Sequence, residues 1–118
     1  MNTEQLIAKI KATPDAVEFN EVMDTIEQDY HYHPSTFSNG LGDNKITNTA
    51  GSNEGSCKIL AFAKINQLNK EETLACFGQY YRDDVLKHPD GDDHGNIRNF
   101  MRDGWDGIDF ESVALKKK

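Results

Sequence analysis

NEGSCKILAFAKINQL (residues 53–68) decides how the rest of the chain must be arranged. Ile59, Leu60, Ala61, Phe62, Ala63, Ile65 and Leu68 surround a helical wheel, broken only by polar gaps such as Lys58, Lys64 and Asn66. A helix that is apolar on nearly every side belongs in the middle of a domain. The flanking segments must then supply apolar stripes to cover it.

They do. Asn2-Thr3-Glu4-Gln5 has the form of a capping box, and Leu6, Ile7 and Ile10 fall on one face behind it. Thr13 can cap a second helix, with Pro14 at the first position, where no N–H is needed. Phe19, Val22, Met23, Ile26 and Tyr30 form its stripe, so a helix is predicted over about residues 14–30. On the other side, Asn69-Lys70-Glu71-Glu72 is another capping box. Leu74, Phe77, Gly78, Tyr81 and Val85 make the buried stripe of the helix it starts, with Gly78 allowing close approach and His88-Pro89 ending it. Ile97, Phe100 and Met101 mark a last short helix that Gly104 closes.

Residues 31–51 read differently. Pro34 breaks the helix, and residues 36–38 and 45–49 read as short strands joined through Asn39-Gly40 and Asp43-Asn44. A lone hairpin is marginal in water, so Phe37 and Ile46 should pack on the helices. Trp105-Asp106-Gly107 makes a turn, and Ile108-Asp109-Phe110 alternates like a short strand or docking segment. The fold class expected is α+β, a mainly helical single domain over residues 1–118, with about five helices and a short antiparallel hairpin.

The chain has 118 residues and a net charge of -7. One domain of that size hides roughly two-thirds of the surface its unfolded chain exposes, so a core forms without staples. The acidity argues against nucleic acid, because phosphate binding needs clustered Lys and Arg. The only basic run, Lys116-Lys117-Lys118, reads as a solvated tail. No leader and no apolar run of membrane-spanning length is visible, so the expected setting is a reducing cytoplasm, with Cys57 and Cys76 as free thiols.

The chemistry concentrates in HPDGDDHGNIRNFM (residues 88–101). Counted as a calcium loop from Asp90, it places Asp90, Asp92, His94, Gly95 and Ile97 at positions one, three, five, six and eight. Met101 then stands where the bidentate acid should be, and the loop fails. A transition-metal set could draw on His31 and His33, which leave the same face of an extended strand, with His94, His88 or an aspartate. A cysteine nucleophile could be Cys57, near the start of the central helix, where the helix dipole favours thiolate. His94 would be its base and Asp93 or Asn96 the orienter. The reading that explains most residues is structural: Pro89 and Gly91 turn the chain, and Asp92 or Asp93 caps the helix that follows.

YHYHPSTFSNG (30–40), NTAGSNEGSCKILAFAKINQL (48–68), ETLACFGQYYRDDVLKHPDGDDHGNIRNFMRDGW (72–105) and GIDF (107–110) together resemble the HopJ family of bacterial type III effectors. The resemblance runs from about residue 19 to residue 115. It implies a protein delivered by a type III secretion system; no biochemical activity is attached to the family, so it assigns no catalytic residue. The function expected is a non-enzymatic interaction or ligand-binding domain with a protein or small-molecule partner, no cofactor, no nucleic acid and no membrane. His94, Asn96, Arg82, Tyr80 and Trp105 are its candidate binding residues. The alternative is a hydrolase or transferase built on Cys57 with His94, or on a metal held by His31, His33 and His94.

Overall fold

A computed structural model describes residues 1–118. Helix α1 (Thr3–Ala12) starts at the predicted capping box: Asn2 Oδ1 accepts from Gln5 N at 2.9 Å, and Gln5 Oε1 accepts from Asn2 N at 2.9 Å. Helix α2 (Phe19–Asp29) is shorter than the periodicity predicts. Pro14–Ala16 is a 3-10 turn, Thr13 places no side-chain cap on it, and Val17 is extended and fully buried. Burying Val17 in the core outweighs continuing the helix. α2 begins beyond it, with the Glu21 carboxylate accepting from Glu18 N at 2.7 Å.

Helix α3 (Glu54–Ile65) runs through the middle, and Cys57, Ile59, Leu60, Ala61, Phe62 and Ala63 are all buried, as an all-round apolar helix requires. Helix α4 (Lys70–Ala75) has the reciprocal Asn69–Glu72 box. It does not continue to His88 as expected. Gly78 has φ +58°, and a Cβ there would stand 2.6 Å from the backbone N of Phe19. This close approach breaks the helix, and the chain resumes as a π-helical turn over Tyr80–Val85. Leu74, Phe77, Gly78 and Val85 nevertheless stay buried along the predicted stripe. Helix α5 (Gly95–Asp103) ends at Gly104, whose φ is +61°.

Strands β1 (Tyr30–Tyr32), β2 (Phe37–Asn39), β3 (Ile46–Asn48), β4 (Ile108–Phe110) and β5 (Leu115–Lys117) form two small antiparallel sheets. The predicted hairpin is β2–β3, and β4 joins it on the other side of β2, in the order β3-β2-β4. Phe37 is fully buried and stacks on Phe110 at 5.2 Å. The second sheet pairs β1 with β5, so the chain end expected to be a solvated tail is a strand. Lys116, Lys117 and Lys118 keep their side chains in solvent, while Lys118 N donates to Asp29 O at 2.9 Å. No helix is long and apolar enough to cross a membrane.

Candidate functional site

An open cleft of about 420 Å³ lies where the starts of α3 and α5 face the π-helical turn. Phe19, Phe77 and Tyr80 form an aromatic wall, Asn53, Gly55 and Ser56 come from α3, His94, Gly95, Asn96 and Ile97 come from α5, and Ile46 adds a methyl-rich edge from β3. Tyr80 meets Phe19 edge-on at 4.9 Å and His94 at 5.6 Å, so three rings run in sequence along one side.

Both helices begin in the same unusual way. Asn53 (φ 49°, ψ 47°) and His94 (φ 50°, ψ 48°) are left-handed, and neither side chain caps its helix. Asn and His enter this region more readily than most residues. The first intrahelical bonds are Cys57 N to Asn53 O at 3.0 Å and Arg98 N to His94 O at 3.1 Å. The amides before them, at Glu54 to Ser56 and Gly95 to Ile97, lie at the N-terminal end, where a helix has no acceptor of its own. Of the residues carrying these donors, Gly55, Ser56, Gly95, Asn96 and Ile97 line one cavity.

His94 is held by Asp84, whose Oδ2 lies 3.1 Å from Nε2, with Asp93 Oδ2 more distant at 3.9 Å. The expected aspartate cap is therefore not present. Asp93 turns instead to Arg98, accepting from Nη2 through Oδ1 at 2.7 Å and from Nε through its backbone O at 2.6 Å. That bond holds the Asp93 carboxyl below its ordinary value. Arg98 also donates to His88 O at 3.0 Å, so residues 88–93 wrap one guanidinium. A planar five-donor group closes this loop better than a single capping bond to α5 would.

Of the binding candidates, Tyr80, His94 and Asn96 meet in the cleft. Arg82 and Trp105 do not: Arg82 Nη1 reaches Pro14 O at 3.4 Å, and Trp105 donates from Nε1 to Leu68 O at 3.0 Å while packing edge-on against Phe100. Cys57 is 1% exposed and its Sγ faces Ser35 O at 3.8 Å rather than the cleft. Burial pushes its thiol up, which reverses the lowering expected at a helix start: desolvation outweighs the dipole. Cys76 is buried too, and burial pushes it up to about 12. His31 in β1 and His33 just after it are both exposed, and neither lines the cleft that holds His94. No group of three or more His, Cys, Asp or Glu is arranged to hold a metal ion.

Asn53, Gly55, Ser56, Phe19 and Ile46 were not marked as site residues by sequence reasoning. A signal for part of the set exists in N-E-G and H-G: a residue tolerant of left-handed backbone, with glycine within two positions, opening a helix.

Fold and site together define a small α+β domain with one polar, aromatic-walled cleft at two helix starts. The chain belongs to the HopJ type III effector protein family, whose family model matches residues 3–115. It is also similar to a solved structure, the crystal structure of the unknown-function protein VPA0580, at 48% identity and a TM-score of 0.95. That likeness covers 100% of this chain and 95% of the other. No curated protein matches the chain.

Proposed function

We propose that this HopJ domain is a non-enzymatic binding domain whose site is the cleft. Its ligand presents acceptor oxygens, as a phosphate or carboxylate does, beside an apolar group. The observation that carries this is the meeting of two helix starts without side-chain caps in one cavity. Each brings free N–H donors and the positive end of a helix dipole. The Ser56 hydroxyl and the His94 imidazole add further polar groups, and Phe19, Phe77 and Tyr80 offer a surface for the apolar part. Exposed helix ends contribute about 0.3–1 kcal/mol each toward an anion, so the oxygens alone support weak binding. A Kd on the order of 100 mM is expected for inorganic phosphate, and about tenfold tighter for phenyl phosphate, which also buries a ring.

Titration of ¹⁵N-labelled protein with each compound tests this. Amides of Gly55, Ser56, Gly95 and Asn96 should shift together, with phenyl phosphate saturating first. His94→Asn keeps a residue that tolerates left-handed backbone and should weaken binding without unfolding the chain. Shifts confined to residues 116–118, or equal affinity for the two compounds, would rule the reading out. Family membership suggests a type III effector, and delivery of this chain is part of the proposal. An N-terminal reporter fusion retained by a secretion-competent host would instead favour a resident cytoplasmic role.

A further inference from the structure

We propose that Asn48, which does not line the cleft, is its positioning residue: one buried carboxamide sets the spacing of both helix starts. This deepens the binding reading above and rests on it for its functional meaning.

Asn48 ends the three-residue strand β3 and is 1% exposed. Its Oδ1 accepts from Asn53 Nδ2 at 2.7 Å and from Asn96 Nδ2 at 2.9 Å. Its Nδ2 donates to Asn96 Oδ1 at 3.1 Å and to Phe37 O at 3.4 Å. A primary amide has two donors and two acceptor sites, and all four are used here. Asn53 is the residue from which α3 starts, and Asn96 is the second residue of α5. A single side chain thus ties both helix starts to one strand, and β2 anchors that strand through its ladder.

The chemistry of the group matters as well as its position. An aspartate here would offer acceptors but no donor, and Asn96 Oδ1 would lose one of its two donors, keeping only Asn39 Nδ2. It would also place a negative charge beside the two positive helix ends and compete with an incoming anion. A neutral amide holds the helices and leaves their donors available. Asn39 is the natural control: it is equally buried, but its Nδ2 reaches only α5, at Asn96 O (2.8 Å) and Asn96 Oδ1 (3.0 Å).

Amide hydrogen exchange of the whole chain tests the clamp directly. Cys57 and Arg98 carry the first intrahelical bonds of α3 and α5, and Leu6 N, bonded to Asn2 O at 3.0 Å, reports on the remote start of α1. In Asn48→Ala, protection should fall about tenfold or more at Cys57 and Arg98 together, with Leu6 unchanged, as expected for a local opening. Asn39→Ala should affect Arg98 alone. Asn53→Gly, which suits the left-handed backbone and removes only the α3 arm, should affect Cys57 alone and decides the matter if Asn48→Ala does not fold. Phosphate affinity should also fall in Asn48→Ala, because the closed state itself then no longer holds the two helix starts at one spacing.

Equal losses at Cys57, Arg98 and Leu6 would make Asn48 a fold-wide stabiliser and overturn the proposal. So would Cys57 protection that ignores Asn53→Gly, or phosphate affinity that ignores Asn48→Ala. Should the wild-type protein bind no phosphate, the binding reading falls, while the exchange pattern still decides whether Asn48 holds both starts.

Discussion

Helices α1 and α4 begin with reciprocal Asn boxes, Asn2–Gln5 and Asn69–Glu72, that occupy their terminal donors. Helices α3 and α5 begin with left-handed residues and no side-chain cap. The first pair faces structural neighbours: Lys11 of α1 reaches Glu72 of α4 at 2.9 Å, and Thr3 N and Oγ1 donate to Asp29 Oδ2 at 2.7 and 2.6 Å. The second pair faces an open cleft. Where a helix start serves only the fold, a local side chain closes it. Where it borders the cleft, its donors stay free, and a buried asparagine cluster behind it supplies the hold that a cap would have given.

The largest expected effect comes from Gly78, which joins the capped half to the cleft wall. Gly78→Ala puts a carbon 2.6 Å from the backbone N of Phe19, at φ +58°. A loss of about 3 kcal/mol is expected, since backbone cannot yield as a side chain can. It should appear as a lower denaturant midpoint with an unchanged slope. Gly95→Ala is the contrasting case. Its new carbon would lie 2.8 Å from Ile46 Cδ1, the flexible end of a side chain, and φ is not positive there. Less than about 1 kcal/mol should be lost, while cleft binding weakens. Similar losses for the two variants would break the distinction drawn between backbone and side-chain crowding.

Asn69→Ala removes a cap of the ordinary kind and should lower stability by about 1 kcal/mol without altering ligand response. His94→Gly addresses the other kind of start. Relief of left-handed strain should offset the lost Asp84 bond to within about 0.5 kcal/mol, while affinity falls. If His94→Gly proves as costly as Asn69→Ala, with affinity intact, the two kinds of start do not differ in purpose.

The smallest effect is expected from pH. Asn69 N, followed by Lys11, holds the Glu72 carboxyl below its ordinary value of 4.5. The folded chain therefore releases this proton more readily than the unfolded one. The contribution is complete above about pH 4.5 and is lost as pH falls through the lower folded value. Amide protection at Thr73, whose N donates to Asn69 O at 2.9 Å, should decline across that acid range. Protection at Cys57 should persist there, because the Asn53–Asn48 bond joins two neutral amides. Parallel decline at both positions would remove the contrast.

Much of the fold was legible because the signals were local. The Asn2 and Asn69 boxes span three residues each, and the apolar circumference of residues 53–68 placed α3 in the centre. The β2–β3 hairpin followed from Asn39-Gly40 and its neighbours, although its partner β4 was left open between strand and docking segment. Pairing of β1 with β5 was missed: Lys116 and Lys117 look like tail residues, and only the distant Tyr30 and Tyr32 give them a ladder. Helix α4 was overextended because its stripe of Leu74, Phe77 and Val85 is helical in spacing. Nothing beside Gly78 in sequence reveals the Phe19 backbone it must clear.

The candidate site was legible only in part. His94 and Asn96 lie in the polar stretch of residues 88–101, Tyr80 lies before it, and the three do meet. Arg82 and Trp105 were chosen for their residue type, yet each is spent on a carbonyl away from the cleft. Asn48 reads in sequence as one more polar residue of a short strand.

By itself the sequence determined that five segments carry helices, which of their faces are buried, and where two helices are closed by their own capping residues, because each depends on residues a few positions apart. Tertiary structure alone decided that Asn53 and His94 open their helices onto the same cavity, that Asp93 serves Arg98 rather than α5, and that Asn48 binds both helix starts. Those outcomes depend on groups far apart in the chain competing for the same few hydrogen-bond partners. Packing, not local propensity, chooses which partners meet.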